Sequence, residues 1–381
     1  MPAARGQLGG GAARGLHTGD RVEDTPLAPG DPPEKTARAA EADPARKRHT
    51  INDVARLAGV SKKTVSRVIN ESPFVKEETR KAVLAIMRET GYVPDPQARG
   101  LAFRRSFLVG LIYDNPNPQH TISHQQGLLD AMAGSGFELV VRPVDRHSPR
   151  LLADMRDFVE RQKLFAVVLP SPVSEDEKLA ALLRELDVPY VRIGSVALDA
   201  PDRMLVSHDG KGAAEAARHL ADLGHTRIAL ISGPPTFRSS IERKRGFEEG
   251  LAERGLHLAP DYAKIGAYTY ESGVNAAHEL FALEARPTAV FCLNDEMATG
   301  VYTAAREAGL RIPEDVSVVG YDDAPIAVRL WPPMTSVRLP LRDMGRIAGE
   351  MLVPNALREK RADAHEVQPQ LVVRGSTGTV G

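Results

Sequence analysis

A chain of 381 residues, 42% hydrophobic and 26% charged with a formal net charge of −1, is too long for one core and reads as a globular protein of two or three domains. Its single cysteine, Cys292, excludes an internal disulfide and a cysteine-built zinc site, and suits a reducing cytoplasm. No run approaches the ~18 to 20 apolar residues that span a bilayer, and the first residues lack the apolar centre of a signal peptide.

Residues 1–48 carry Gly-Gly-Gly at 9 to 11, Asp31-Pro-Pro33 and scattered charge. They cannot bury enough surface to offset the entropy of ordering and are expected to form a disordered tail. A helix-turn-helix is expected over residues 49–93, centred on Ile51-Asn-Asp-Val-Ala-Arg-Leu-Ala-Gly-Val-Ser-Lys-Lys-Thr-Val-Ser-Arg-Val-Ile-Asn70. Ala55 lets two short helices approach, Gly59 can take the positive φ that ends the first, and Val65 with Val68 closes the core beneath. Ser61 suits the N-cap of the second helix, Ser61 to Ile69. Just beyond it, Lys62, Lys63, Ser66 and Arg67 carry donors for phosphate oxygens and guanine edges. From Arg46 to Arg105 there are 14 Lys/Arg against 6 Asp/Glu, a surplus of eight in a chain that totals −1, which is the footprint of a polyanion partner.

A third helix follows, with Val83, Leu84, Ile86 and Met87 on its apolar face and Gly91 at its end. Residues 94–105 form a hinge or linker: Pro94-Asp-Pro96 is rigid, and Gln97-Ala-Arg-Gly-Leu-Ala102 is helix-capable. It is either a plain connector or a segment that enters the minor groove with Leu101 as a wedge.

From Ser106 short apolar runs alternate with amphipathic stretches. The runs are 107–112, 138–141, 165–169 and 188–193, then 228–231, 289–292 and 316–319. Helices are expected near 123–135, 149–163, 175–186, 210–223, 240–254, 272–283 and 295–308. Continuous apolar strands separated by helices mean parallel sheets covered on both faces. Two such series, divided near Ser207-His208, mean two Rossmann-like lobes with a cleft. A ligand is then expected in the loops after Ile112, Ile231, Phe291 and Val319.

These motifs, in order, resemble the lactose-repressor/galactose-repressor (LacI/GalR) family of transcriptional regulators. The resemblance rests on the Ile51–Asn70 stretch, Gly91-Tyr-x-Pro94, Ala98-Arg-x-Leu101, Ile231-Ser-Gly-Pro, Arg243-x-x-Gly-Phe247, Asn294-Asp-x-Met-Ala298 and Val318-Val-Gly-Tyr-Asp-Asp323. It implies an α/β fold: an N-terminal helix-turn-helix headpiece, then a two-lobed periplasmic-binding-protein-like core of two parallel sheets. The first lobe would comprise 106–208 plus about 337–367, and the second 209–336 plus about 368–381. A cytoplasmic homodimer reading a pseudo-palindromic operator is implied, with Thr50, Ser61, Lys62, Lys63, Thr64, Ser66, Arg67, Asn70, Arg99 and Leu101 at the DNA. Lys62 and Lys63 fall on the family's base-reading positions, although a lysine can equally serve as a phosphate contact. No leucine heptad follows Arg374, so a dimer is the expected limit. Neither metal nor cofactor is expected.

For the effector, the resemblance carries over to Arg243, Asn294 and Asp322, and charge-assisted bonds from such groups suit sugar hydroxyls. Asp322 or Asp323 can instead cap a turn, and Asn294 can cap the next helix. Where family members often carry aromatic residues, this chain has His120-Thr121. A polar strip of Asn115, Gln119, His120 and His124 is expected there in place of an aromatic wall, which favours a carbohydrate over a nucleobase. Trp331, the only tryptophan, is expected in a cleft-side loop against a sugar face or in loop packing. The function expected is a repressor of carbohydrate-utilisation genes relieved by a sugar or glycoside. The alternatives are a co-repressor-dependent regulator and a periplasmic-type sugar receptor, the latter disfavoured by the basic headpiece. No phosphate-cradling loop, nucleophile elbow or His-Glu-x-x-His supports catalysis.

Overall fold

A computed structural model describes residues 49–69, 72, 74–92, 106–353 and 365–380. The chain divides into two compact units after Tyr92. The expected 1–48 tail, Asn70, and the hinge with Arg99 and Leu101 lie outside the described residues.

The first unit holds α1 (Ile51–Leu57), α2 (Lys62–Ile69) and α3 (Glu77–Thr90). Thr50 and Asp53 cap α1 reciprocally: the Thr50 amide donates to Asp53 Oδ2 at 2.9 Å, and the Asp53 amide donates to Thr50 Oγ1 at 3.4 Å. Gly59 takes φ 65° in the turn and Gly91 φ 63° after α3, a backbone region that glycine enters without steric cost. Ser61 precedes α2 as its cap, its Oγ accepting from the Thr64 amide at 3.1 Å, so the helix proper begins one residue later than expected. Val54, Ala55, Val65, Val68 and Val83 are buried together as a small core.

In the second unit, β1 (Leu108–Tyr113), β2 (Glu138–Pro143), β3 (Ala166–Leu169), β4 (Tyr190–Gly194) and β5 (Met204–Val206) form one parallel sheet in the order β2-β1-β3-β4-β5. Helices α4 (Pro118–Met132), α5 (Leu151–Gln162) and α6 (Glu177–Glu185) connect its strands. The second sheet contains β6 (Ile228–Ser232), β7 (Ala263–Ile265), β8 (Ala289–Cys292), β9 (Ser317–Asp322), β10 (Thr335–Arg338) and β11 (Gln370–Val372), in the order β11-β10-β9-β8-β6-β7. Helices α7 (Asp209–Asp222), α8 (Arg238–Ala252), α9 (Tyr270–Phe281) and α10 (Asp295–Glu307) belong to it. One strand departs from the parallel expectation: β11, at the edge, runs antiparallel to β10.

The chain crosses between the sheets three times. It leaves the first after β5. After β10 it returns through α11 (Leu341–Leu352), which packs on α4. It comes back to the second sheet at β11, after Glu366 bridges to Val206. Glycine sets the two helix contacts that position the cleft: a Cβ on Gly246 of α8 would collide with the Gly210 backbone of α7, and one on Gly345 of α11 with the His124 carbonyl of α4. The first close approach sets Arg243 beside Asp209; the second fixes the helix that carries His120.

Candidate functional site

The cleft forms where the strands of both sheets end. From the first lobe come Asn115 and Asn117 after β1, His120 of α4, Ser171 after β3, Ser195 after β4 and Ser207 after β5. From the second come Phe237, Tyr268, Asn294 and Asp322. Counting its open mouth, the cleft encloses about 540 Å³.

Arg243, buried on α8, is its electrostatic centre. Its Nε donates to Asp209 Oδ2 at 2.7 Å and its Nη1 to the Leu293 carbonyl at 2.6 Å, while Nη1 lies 3.5 Å from Asp322 Oδ1. The guanidinium carbon stands 3.7 Å over the Tyr321 ring, a cation–π contact. The other Asp209 oxygen accepts from Ser207 Oγ. One cation is therefore shared by two carboxylates unequally: Asp209 is fully engaged, and Asp322 keeps an Oδ1 with no hydrogen bond. Burial pushes the Asp322 carboxyl up to about 7, with Arg243 opposing and Asp209 reinforcing the shift.

Asp322 and Asp323 have φ of 103° and 52°, backbone that only surrounding contacts can hold. Asp295 supplies those contacts. Its Oδ2 accepts from the Ala324 amide at 2.6 Å and its Oδ1 from Ser336 Oγ at 2.7 Å, and that Oγ accepts from the Asp323 amide at 3.1 Å. Burial, with the Asp322 charge adding to it, holds the Asp295 carboxyl well above the usual carboxylate range. Asp323 is engaged elsewhere, by Arg338 Nε at 2.8 Å and Arg374 Nη2 at 2.6 Å. Asn294 caps α10 through the Met297 amide and donates Nδ2 to the Tyr268 carbonyl, both at 2.9 Å, so it fixes two walls of the cleft at once.

Opposite stand Asn115, its Oδ1 accepting from the Asn117 amide at 2.9 Å, and His120. Burial, then the neighbouring His124 and Arg243, keeps the His120 imidazole well below the usual histidine range, so it stays neutral. At the mouth, Arg146 of the first lobe stacks 4.3 Å over Phe237 of the second, and Glu175 accepts from the Arg238 amide at 3.0 Å. These two contacts latch the lobes together.

The structure thus brings Asn115, His120, Arg243, Asn294 and Asp322 to one cleft. Gln119 lines an adjoining groove and donates to Ser123 Oγ at 3.3 Å. Trp331 is elsewhere: it is 89% exposed and lines no part of the cleft. Its loop closes on itself, the Met334 amide donating to the Ala327 carbonyl at 2.8 Å and Tyr302 OH to the Pro332 carbonyl at 2.9 Å, which leaves the indole outside. The polar strip also needs correction. His124 is fully buried, donor or acceptor to the His120 carbonyl at 2.9 Å, and does not reach the cleft. An aromatic wall, expected to be absent, comes from the other lobe: Phe237 and Tyr268, with ring centroids 5.6 Å apart.

Sequence reasoning passed over Asp209, Ser195, Phe237 and Tyr268. Asp209 had a usable sign, a carboxylate opening a helix at the predicted lobe boundary. Tyr268 had none, because β7 before it is three residues with Lys264 in the middle and shows no apolar run.

In the headpiece, Lys62, Lys63 and Arg67 are exposed on α2. Thr64 hydrogen-bonds Ser61 side chain to side chain at 2.9 Å, and Ser66 is half-buried. Thr50 and Ser61 commit their hydroxyls to the caps already described.

Residues 50–95 match the family described as bacterial regulatory proteins of the lacI family, and residues 217–377 match the periplasmic binding protein-like domain. The HTH-type transcriptional regulator CelR of Thermobifida fusca is 36% identical over 343 residues, covering 87% of this chain and 99% of its own. The probable HTH-type transcriptional repressor ExuR of Bacillus subtilis (strain 168) is 32% identical over 312 residues, covering 80% and 90%. Among solved structures, a lac repressor dimer bound to operator and the anti-inducer ONPF superposes with a TM-score of 0.68 at 28% identity, covering 87% of this chain and all of that one. A CelR–cellobiose complex gives 0.63 at 32% identity, covering 86% and 100%. With headpiece, lobes and full-length relatives in agreement, the chain belongs to the LacI family of DNA-binding transcriptional regulators.

Proposed function

We propose that this regulator represses carbohydrate-utilisation genes and is released from its operator by a small sugar or glycoside held at the Arg243–Asp322 cleft. The observation that carries the reading is the shared guanidinium. Arg243 presents donors, and Asp322 Oδ1 is an acceptor with no hydrogen bond, so vicinal hydroxyls find both within one sugar's reach. Phe237 and Tyr268 supply rings for the apolar face of a pyranose. The relative solved as a complex with cellobiose supports this ligand class. By linkage, such a ligand must bind the DNA-incompetent arrangement more tightly than the DNA-bound one. The regulator acts on the chromosome itself, where its operator lies.

On DNA, Lys62 and Lys63 read bases, and Arg67, Thr64, Ser66, Thr50, Ser61, Asn70 and Arg99 add base or phosphate contacts, with Leu101 as the minor-groove wedge. A Lys63→Ala chain is expected to bind a selected operator about tenfold or more weakly, and to lose discrimination at one base position. A uniform loss on all sequences, with a shallower salt slope, reduces Lys63 to a phosphate contact.

The effector reading is tested by fluorescence polarisation on that operator with a panel of mono- and disaccharides. Release by one of them is the expected result. The aromatic pair favours a second reading, a planar base that tightens operator binding as a co-repressor; tightening by a purine, with no response to any sugar, replaces the first reading with the second.

A further inference from the structure

Helix α8 carries Arg243, yet it begins without the devices that begin its neighbours. Its N-cap residue, Phe237, makes no side-chain capping bond, and its first turn holds no acidic residue. Every other α-helix among the described residues has a capping side chain, an acidic first turn or both. The positive end of α8 is therefore unanswered within its own lobe, and the cation of Arg238 stands on it as well.

The answer comes from the other lobe. Glu175, which follows β3, accepts from the Arg238 amide through Oε2 at 3.0 Å, while its Oε1 accepts from Ser171 Oγ at 2.8 Å. One carboxylate thus supplies both the missing acceptor and the missing countercharge. Arg146 holds the two residues before Arg238. Its Nη2 donates to Thr236 Oγ1 at 3.1 Å and its guanidinium covers the Phe237 ring, while its own amide donates to Asp114 Oδ2 at 3.2 Å. The Arg146 side chain is only 13% exposed, so these contacts are largely withdrawn from water, where they are strongest. Neither Arg146 nor Glu175 lines the cleft.

We propose that Glu175 and Arg146 are positioning residues of the effector site: from the first lobe they set the start of α8 in the second, and through it the place of Phe237 and Arg243. When the lobes part, α8 loses its cap. The closed cleft is therefore favoured by the completion of a helix as well as by the ligand, and a bound molecule leaves only after the cap is broken. This role in retention rests on the reading that the effector sits at Arg243 and Asp322; the capping across the lobes does not.

Hydrogen exchange of the full chain without ligand tests the capping. Glu175→Ala is expected to speed exchange over Thr236 to Ile241 about fivefold or more, although the substitution lies in the other lobe. Glu175→Gln, which keeps an acceptor and loses the charge, should fall between Glu175→Ala and wild type. Exchange that rises only around Ser171, or not at all in α8, overturns the proposal. Cellobiose, the ligand of the CelR complex, is the probe for retention. From Glu175→Ala and from Arg146→Ala it should dissociate about threefold or more faster in stopped-flow measurements, with association changed less. Dissociation at the wild-type rate from a chain whose α8 has loosened also overturns the positioning role. Cellobiose that fails to bind the wild-type chain counts against the sugar reading alone, and the exchange result then decides this proposal.

Discussion

Asp322 carries opposing demands. Its carboxyl is buried beside Asp209, which favours the proton, yet it faces Arg243, which favours the charge, and burial prevails to place it at about 7. An acid held that far above its usual 3.8 contributes stability that is complete below about pH 4 and is lost as pH rises through 7. His124, pushed down to about 4 by burial, acts in the reverse sense, losing stability as pH falls from 6.5. The two slopes oppose, so the comparison with Asp322→Asn isolates the first. That variant is expected to gain, relative to wild type, on the order of a few kcal/mol between pH 5 and pH 8 in urea titrations. Effector affinity follows the ionised form. It should rise through pH 7 in the wild type, and in Asp322→Asn be flat and about tenfold weaker by calorimetry. A wild-type affinity independent of pH would remove Asp322 from the binding set. At this scale the sequence was informative where a charged residue sat in a family motif, as with Arg243 and Asp322. It was silent on Ser195 and Tyr268, which strands bring in from elsewhere, and it left two placements open for Trp331, whose loop lies outside the cleft.

At the scale of elements, unbroken apolar runs were legible: β3 and β8, wholly apolar over four residues, and the helices between them fall within a few residues of their expected places. β5, β7, β10 and β11 were not: β5 is only three residues long, and Lys264, Thr335-Ser336 and Gln370 leave β7, β10 and β11 no more than two adjacent apolar residues. α11 was missed for a different reason. Gly345 and Gly349 read as helix-weakening, and only the closeness of α4 explains why the helix keeps them. The same logic makes Gly246 testable. Gly246→Ala places a methyl against the Gly210 backbone, so α7 and α8 must separate, and a loss of about 1–3 kcal/mol is expected in chemical denaturation. Because Arg243 lies one turn away on α8, effector affinity should fall with it while operator affinity without effector holds. A neutral substitution would mean that the two helices have slack.

For the whole molecule, the division after Tyr92 predicts two thermal transitions, one from the headpiece and one from the core. An effector at 100 times its Kd should raise only the core transition, by about 2.7 kcal/mol of stabilisation. Calorimetry that shows one merged transition, moved as a unit, would tie the units more tightly than their separate cores suggest. The triple crossing between the sheets has a further consequence, for synthesis. The helix that completes the first lobe, α11, is made only after most of the second, and it must return to α4 at the Gly127 and Gly345 contacts. On the ribosome the headpiece can therefore fold early, while the first lobe stays open until residue 352 has emerged. A chain terminated within the second lobe would leave the α11-facing side of α4 bare, and would yield an aggregation-prone fragment rather than a smaller regulator.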